Sequence, residues 1–192
     1  MPRKAMNRAE ICLCEGEQGS GKTCTAVGKV VDAYHKDSTT KIFANFHLYG
    51  IKYVYADLGT IVEYLNSSLI TEGYIVIDES YIGGDARRGM SLLTQVLTWF
   101  GSQIRKRGLH LILIAQHGRL IDYRFRLFMT EHILCSYNEK THMITLDVVE
   151  RGSRKKKREY SYYGPQYWKY YNTNELPQIP ESLLAKALMT AR

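Results

Sequence analysis

The sequence predicts a three-layer α/β sandwich: a mostly parallel β-sheet with helices on both faces, carrying a C-terminal antiparallel extension. Three observations lead there. Short, nearly all-apolar runs alternate with segments whose apolar residues recur every three to four positions, the pattern of strands buried on both faces and joined by helical crossovers. A glycine-rich run, Gly16-Glu17-Gln18-Gly19-Ser20-Gly21-Lys22-Thr23, stands between the first apolar run and the first helical one. Beyond residue 130, strand-like runs succeed one another with no helix between them.

In chain order, Ile11-Cys12-Leu13-Cys14 reads as the first strand and Thr23 to Val31 as the first helix. Lys41 to Phe46 is a second strand, rich in aromatic and β-branched residues, and Lys52 to Tyr55 a short extra one. Leu58, Ile61, Val62, Leu65 and Leu69 repeat at a helical period over 58–69. Gly73 to Asp78 is nearly all apolar, as a parallel strand between two neighbours requires. Met90 to Arg107 reads as a long amphipathic helix, with Leu92, Leu93, Val96, Leu97, Phe100 and Ile104 on its buried side, and Leu109 to Ala115 as another buried strand. Glu131 to Tyr137, His142 to Val149 and Lys157 to Tyr163 are expected as consecutive antiparallel strands, the last two forming a basic hairpin over about 142–163. A terminal helix over about 181–190 follows Pro180.

A chain of 192 residues buries roughly 70% of its unfolded surface, enough for one sizeable core. With no internal repeat and no low-complexity linker, residues 1–192 read as one domain. Lys and Arg outnumber Asp and Glu by 26 to 19, a net charge of +7 that suits a polyanionic partner without identifying one. No apolar run approaches the roughly 18 residues of a membrane-spanning helix, and the longest, Leu109 to Ala115, is interrupted by His110. Glu10, Glu15 and Glu17 break what would be the apolar core of a secretory signal. The expectation is a soluble intracellular protein with no transmembrane segment of its own. Cys12, Cys14, Cys24 and Cys135 form no C-x-x-C pair and have no companion histidines at zinc spacing, so they read as buried free thiols.

Gly16 to Thr23 fits the phosphate-binding pattern G-x-x-x-x-G-K-S/T. Its glycines let the backbone curl with NH groups aimed at the α- and β-phosphates, and the positive end of the following helix favours the same charge. Lys22 would reach the β/γ-phosphates, the Thr23 hydroxyl would ligate Mg²⁺, and Cys24 lies in the first helical turn beside them. ATP and Mg²⁺ are the expected cofactors, and the fold is expected to be that of a P-loop NTPase. Ile75-Val76-Ile77-Asp78-Glu79 supplies the second half of such a site: an apolar strand ending in two carboxylates at the C-terminal edge of the sheet, where ligands of open α/β sheets bind. Asp78 would hold Mg²⁺ and Glu79 would polarise the attacking water. Gln116 ends the next buried strand at the same edge, where an amide can bond both the γ-phosphate and the water; the plain alternative is a polar cap on a strand.

The order of these elements, with Asn45 after the second strand, Arg105-Lys106-Arg107-Gly108 closing the long helix, Ile121-Asp122 with Arg124 and Arg126, and Tyr171-Asn172-Thr173-Asn174-Glu175 near the end, resembles the HerA/FtsK superfamily of P-loop ATPases. Within it the chain is similar to the zonula-occludens-toxin-like assembly ATPases of filamentous phages and to the small genome-packaging ATPases of membrane-containing viruses. The resemblance covers most of residues 10 to 176. It implies a homo-oligomeric ring, usually a hexamer, with ATP at subunit interfaces, double-stranded DNA in the central channel and a capsid portal or vertex protein as partner. It also implies an arginine entering each site from the neighbouring subunit, for which Arg126 matches best, Arg124 next, with Arg87 or Arg88 as alternatives. Phage-extrusion members carry a transmembrane segment after the ATPase domain and this sequence ends without one, which shifts the expectation from extrusion toward packaging, in the host cytoplasm or on the virion.

Arg151, Arg154, Lys155, Lys156, Lys157 and Arg158 place six cations within eight residues, followed by Tyr160, Tyr162 and Tyr163. Arg154 to Arg158 are candidates for contacting DNA phosphates, each contact releasing counterions. A solvated hairpin with its tyrosines packed on the sheet, or a nuclear-localisation run, are the competing readings. Three functions therefore stand side by side: a DNA-packaging translocase, a membrane-recruited phage-extrusion ATPase, and a small nucleotide or metabolite kinase. The basic hairpin and the lack of an evident acceptor-binding lid speak against the third.

Overall fold

The computed structural model describes residues 9–67, 70–78, 104, 106–118, 127–150 and 157–172. Eleven elements lie in them: β1 (Ile11–Glu15), α1 (Lys22–Lys36), β2 (Ile42–Ala44), β3 (Val54–Tyr55), α2 (Leu58–Asn66), β4 (Gly73–Asp78), β5 (Leu109–Ala115), β6 (Glu131–Asn138), β7 (Met143–Glu150), β8 (Lys157–Tyr163) and the short α3 (Pro165–Trp168). The strands form one sheet in the order β3-β2-β4-β5-β1-β6-β7-β8. The five central contacts from β3 to β6 are all parallel. The β6–β7 and β7–β8 pairs are antiparallel.

Alternation along the central strands sends side chains to two cores. Ile11, Leu13, Ile75, Ile77, Leu111 and Leu113 pack on one face against Ile61 and Leu65 of α2. Cys12, Cys14, Val76, Ile112 and Ile114 pack on the other against Cys24, Val27, Val30 and Val31 of α1. Helices thus cover both faces, as the apolar runs predict. All seven residues of β5 are buried, because β5 has a strand on each side and a helix layer above and below. Asp57 caps α2 by accepting from Thr60 N at 2.7 Å, and the helix stops at Asn66, short of the Leu69 expected from its period.

One expectation needs correcting. β6 is not an antiparallel addition: it runs parallel to β1, from Cys12↔Glu131 to Glu15↔Leu134, and the antiparallel extension begins only at β7. The connection over residues 116–130 has the length of a crossover, which parallel neighbours need and hairpin neighbours do not. Between β6 and β7, by contrast, lies only the turn after Asn138.

Gly28 sits within α1 for a packing reason. A Cβ there would lie 3.0 Å from the Tyr167 ring of α3, which crosses the helix at that point. The Tyr167 hydroxyl donates to the Asp32 carboxylate on the next turn of α1. Cys12, Cys14, Cys24 and Cys135 are all buried free thiols. Among the described residues no helix is long and apolar enough to cross a membrane. Most of the expected 90–107 helix and the whole 181–190 helix lie outside the described residues.

Candidate nucleotide-binding site

β1 delivers the chain into the loop at Gly16, and α1 takes it away at Lys22. Gly16 has φ 155°, and a Cβ on it would come 2.6 Å from the Cys135 carbonyl of β6 and 2.5 Å from Ser20 Oγ. Gly21, the N-cap of α1, is left-handed at φ 89° and presses on Ile144 of β7, so close that a Cβ would stand 2.7 Å from Ile144 Cδ1. A side chain at either position would meet both an unfavourable backbone conformation and a neighbour that is already in place. No side chain caps α1, which leaves the first NH groups of the helix aimed into the loop. The Ser20 hydroxyl is buried there and has no hydrogen-bond partner among the described residues.

Lys22 folds back over the loop and donates to the Glu17 carbonyl at 2.6 Å. Burial lowers its pKa, and the Asp78 carboxylate partly opposes that shift by favouring the ammonium. The Thr23 hydroxyl donates to Asp78 Oδ2 at 3.2 Å, bringing the loop and the end of β4 together. Asp78 is 6% exposed, and its position is set by its own backbone. Asn45, just past β2, accepts from Asp78 N at 2.8 Å through Oδ1 and donates to Asp78 O at 2.9 Å through Nδ2. Sequence reasoning met Asn45 only as part of a family pattern; a polar residue ending an otherwise apolar strand next to β4 was the local signal.

The residues present fit both implied groups. A hydroxyl and a carboxylate are hard oxygen donors of the kind that hold Mg²⁺, which keeps most of its remaining positions for water and phosphate oxygens. The curled loop, Lys22, the open end of α1 and the unpartnered Ser20 hydroxyl fit a polyphosphate. Burial pushes the Cys24 thiol pKa up, so this residue is a neutral packing group, donating from Sγ to the Gly164 carbonyl at 3.5 Å.

β5 lies between β1 and β4, so the backbone of Gln116, exposed at its C-terminal end, emerges between the loop and Asp78. At the neighbouring end of β1, Glu15 pairs with His132 Nε2 of β6 and braces the entry to the loop. Glu79, Arg87, Arg88, Arg124 and Arg126 lie outside the described residues, as do Arg154, Lys155 and Lys156. Lys157 and Arg158 open the edge strand β8, and the Arg158 guanidinium is paired with Glu150 of β7 at 3.0 Å. The β7–β8 register runs from Met143↔Tyr163 at the loop edge of the sheet to Val149↔Lys157 at the opposite edge. The basic connection therefore leaves the sheet on the side away from the phosphate loop.

No protein-family model and no curated protein matches the sequence. Solved structures do match in fold. The N-terminal domain of zonular occludens toxin from Neisseria meningitidis superposes with a TM-score of 0.61 at 19% identity, over 86% of this chain and 100% of that one. The KaiC-like protein PH0186 from Pyrococcus horikoshii OT3 superposes with a TM-score of 0.52 at 16% identity, over 79% of this chain and 84% of that one. At these identities the likeness concerns the fold, and with the loop between β1 and α1 it gives one conclusion: this chain has a P-loop NTPase fold.

Proposed function

We propose that the chain is an ATP-hydrolysing translocase of the HerA/FtsK type that moves double-stranded DNA and packages a viral genome into a preformed capsid. The observation that carries ATP hydrolysis is the 3.2 Å contact of Thr23 with Asp78 under the Gly16–Thr23 loop. A hydroxyl and a carboxylate meeting beside the glycine-rich loop support Mg²⁺ binding next to a triphosphate. Lys22 exchanges the Glu17 carbonyl for the β/γ-phosphates when nucleotide enters. Thr23 and Asp78 would hold Mg²⁺, which when bound would supply charge neutralisation for the phosphoryl oxygens. Glu79, next in sequence to Asp78, orients and polarises the attacking water, and Gln116 contacts the γ-phosphate. Arg126, or failing it Arg124, comes from the neighbouring subunit of a hexameric ring. Arg154 to Arg158 grip DNA phosphates.

A second reading is favoured by one comparison. The fold likeness to the Neisseria zonular occludens toxin domain spans that domain completely, which supports a morphogenesis ATPase that drives filamentous phage extrusion with a membrane partner. ATP hydrolysis measured with and without linear duplex DNA, on the purified chain and with its mass determined under the same conditions, separates the readings. DNA-stimulated hydrolysis by a ring supports packaging. Hydrolysis indifferent to DNA but dependent on added membrane protein supports extrusion, and phosphoryl transfer to a small acceptor would sink both.

A further inference from the structure

A nucleoside triphosphate brings a planar base as well as phosphates. Asp78 and Gln116 stand on the β4–β5 side of the loop. With the γ-phosphate end of a triphosphate on that side, as the proposed function has it, the base would extend toward β6, β7 and β8. Three contacts join that side to the loop and the first turns of α1. Gly21 presses on Ile144, the Cys24 thiol bonds the Gly164 carbonyl at 3.5 Å, and the Thr25 and Tyr162 hydroxyls share a hydrogen bond of 2.9 Å.

The rim of this wall is formed by the β6–β7 turn and by the turn from β8 into α3, at the same edge of the sheet as the loop. Three rings gather on it around His142. Its Nδ1 lies 2.7 Å from the Tyr137 hydroxyl, and the two rings are stacked with centroids 6.2 Å apart. Tyr163 and Trp168 stand nearly perpendicular to it at 6.4 and 5.7 Å. Tyr163 and Trp168 are 51% and 44% exposed, an unusual outlay of aromatic surface for a turn. His142 is also the one non-glycine residue with positive φ among the described residues, at 56°, and its carbonyl is pinned by Gly164 N at 2.9 Å. Such a backbone persists where its surroundings hold it, and here Gly164, itself bonded to Cys24 in the first turn of α1, links the His142 turn to the end of the helix that follows the loop.

We propose that Tyr137, His142, Tyr163 and Trp168 are the platform on which the base of the bound nucleoside triphosphate stacks, an assignment that rests on the reading of Gly16–Thr23 as a triphosphate site. Stacking depends on ring overlap more than on the pattern of donors and acceptors, so the platform prefers purines to pyrimidines and separates adenine from guanine weakly.

The test compares tripolyphosphate, ATP, GTP and CTP, each with Mg²⁺, on the unaltered chain and on His142→Asn and Trp168→Ala. Asparagine tolerates the left-handed backbone, so the first variant removes the ring and keeps the turn. ATP and GTP should bind more tightly than CTP, and each variant should weaken ATP roughly tenfold while leaving tripolyphosphate unchanged. Unchanged ATP affinity in both variants overturns the platform and leaves the phosphate site standing. Equal weakening of ATP and tripolyphosphate also overturns it, since the rings would then be shaping the loop and not holding a base. An unaltered chain that binds neither ATP nor tripolyphosphate overturns the triphosphate reading, and the platform with it.

Discussion

Asn45 holds Asp78 by its backbone in both directions, accepting from the amide at 2.8 Å and donating to the carbonyl at 2.9 Å. The carboxylate that meets Thr23 is therefore aimed by a residue on the neighbouring strand's end and not by its own side-chain environment alone. Replacing Asn45 with Ala removes both of these buried hydrogen bonds, at a cost of roughly 2–4 kcal/mol in unfolding free energy. Urea titration measures this, and a loss below about 1 kcal/mol would mean that water takes over the clamp. Asn45→Asp should harm turnover more than stability alone explains, because it removes the donor and sets a second negative charge beside Asp78.

Lys22→Ala should abolish nucleotide binding or turnover, whereas Glu79→Gln should bind ATP normally and lose hydrolysis. In the proposed mechanism Lys22 contacts ground-state phosphates, while Glu79 acts on the water in the transition state. Equilibrium binding of ATP next to single-turnover hydrolysis distinguishes the two, and normal turnover in Glu79→Gln would remove that residue from the mechanism.

Mixing Lys22→Ala chains with Arg126→Ala chains should restore part of the activity that each lacks alone. In the proposed ring some mixed interfaces would pair an intact loop with an intact arginine, and a cation near the γ-phosphate is worth on the order of 10³ or more in rate. If mixed rings form and no activity returns, Arg124 or Arg87 becomes the residue to test.

Alanine at Lys155, Lys156 and Lys157 should weaken binding to DNA of any sequence. The slope of log K against log salt should shrink by roughly 0.9 per lost phosphate contact on duplex DNA. Intrinsic ATP hydrolysis should persist, because β8 begins at Lys157 on the sheet edge opposite the phosphate loop. An unchanged slope would assign these lysines to protecting the exposed edge strand, a common use of lysine, and would direct attention to Arg105-Lys106-Arg107.

Above pH 10 the fold should weaken through its tyrosines. Burial raises the pKa of Tyr162 and Tyr171 well beyond the usual phenol range, and burial followed by the Asp32 carboxylate pushes Tyr167 up to about 12. The unfolded chain releases these protons from about pH 10 while the folded one keeps them. Their stabilising contribution is thus complete below that pH and is lost as pH rises through the folded values. Urea midpoints at pH 9 and pH 11 measure the fall. Tyr162→Phe should reduce it, and an identical fall in that variant would exclude Tyr162 as a contributor.

The local sequence determined the loop, the strand before it and the helix after it. Glycines at 16, 19 and 21, an apolar run before them and a helical period after them act over a few residues, where backbone sterics and amphipathic period decide the outcome. The same holds for β4 ending at Asp78 and for β5 ending before Gln116. Tertiary structure decided what those rules do not reach. β6 has the composition of a strand in either direction, and only its pairing with β1 made it parallel. Asn45 and Asp78 stand 33 residues apart and meet because β2 and β4 are neighbours in the sheet. Arg158, one of a run of cations in sequence, is paired with Glu150 by the β7–β8 register. His142, read from the sequence as the start of a strand, lies in the turn before β7 and is ringed by Tyr137, Tyr163 and Trp168, because the β6–β7 turn and the end of β8 share one edge of the sheet. Strand direction and long-range polar pairs depend on which surfaces come into contact across the sheet, and periodicity along one segment carries no information about the segment beside it.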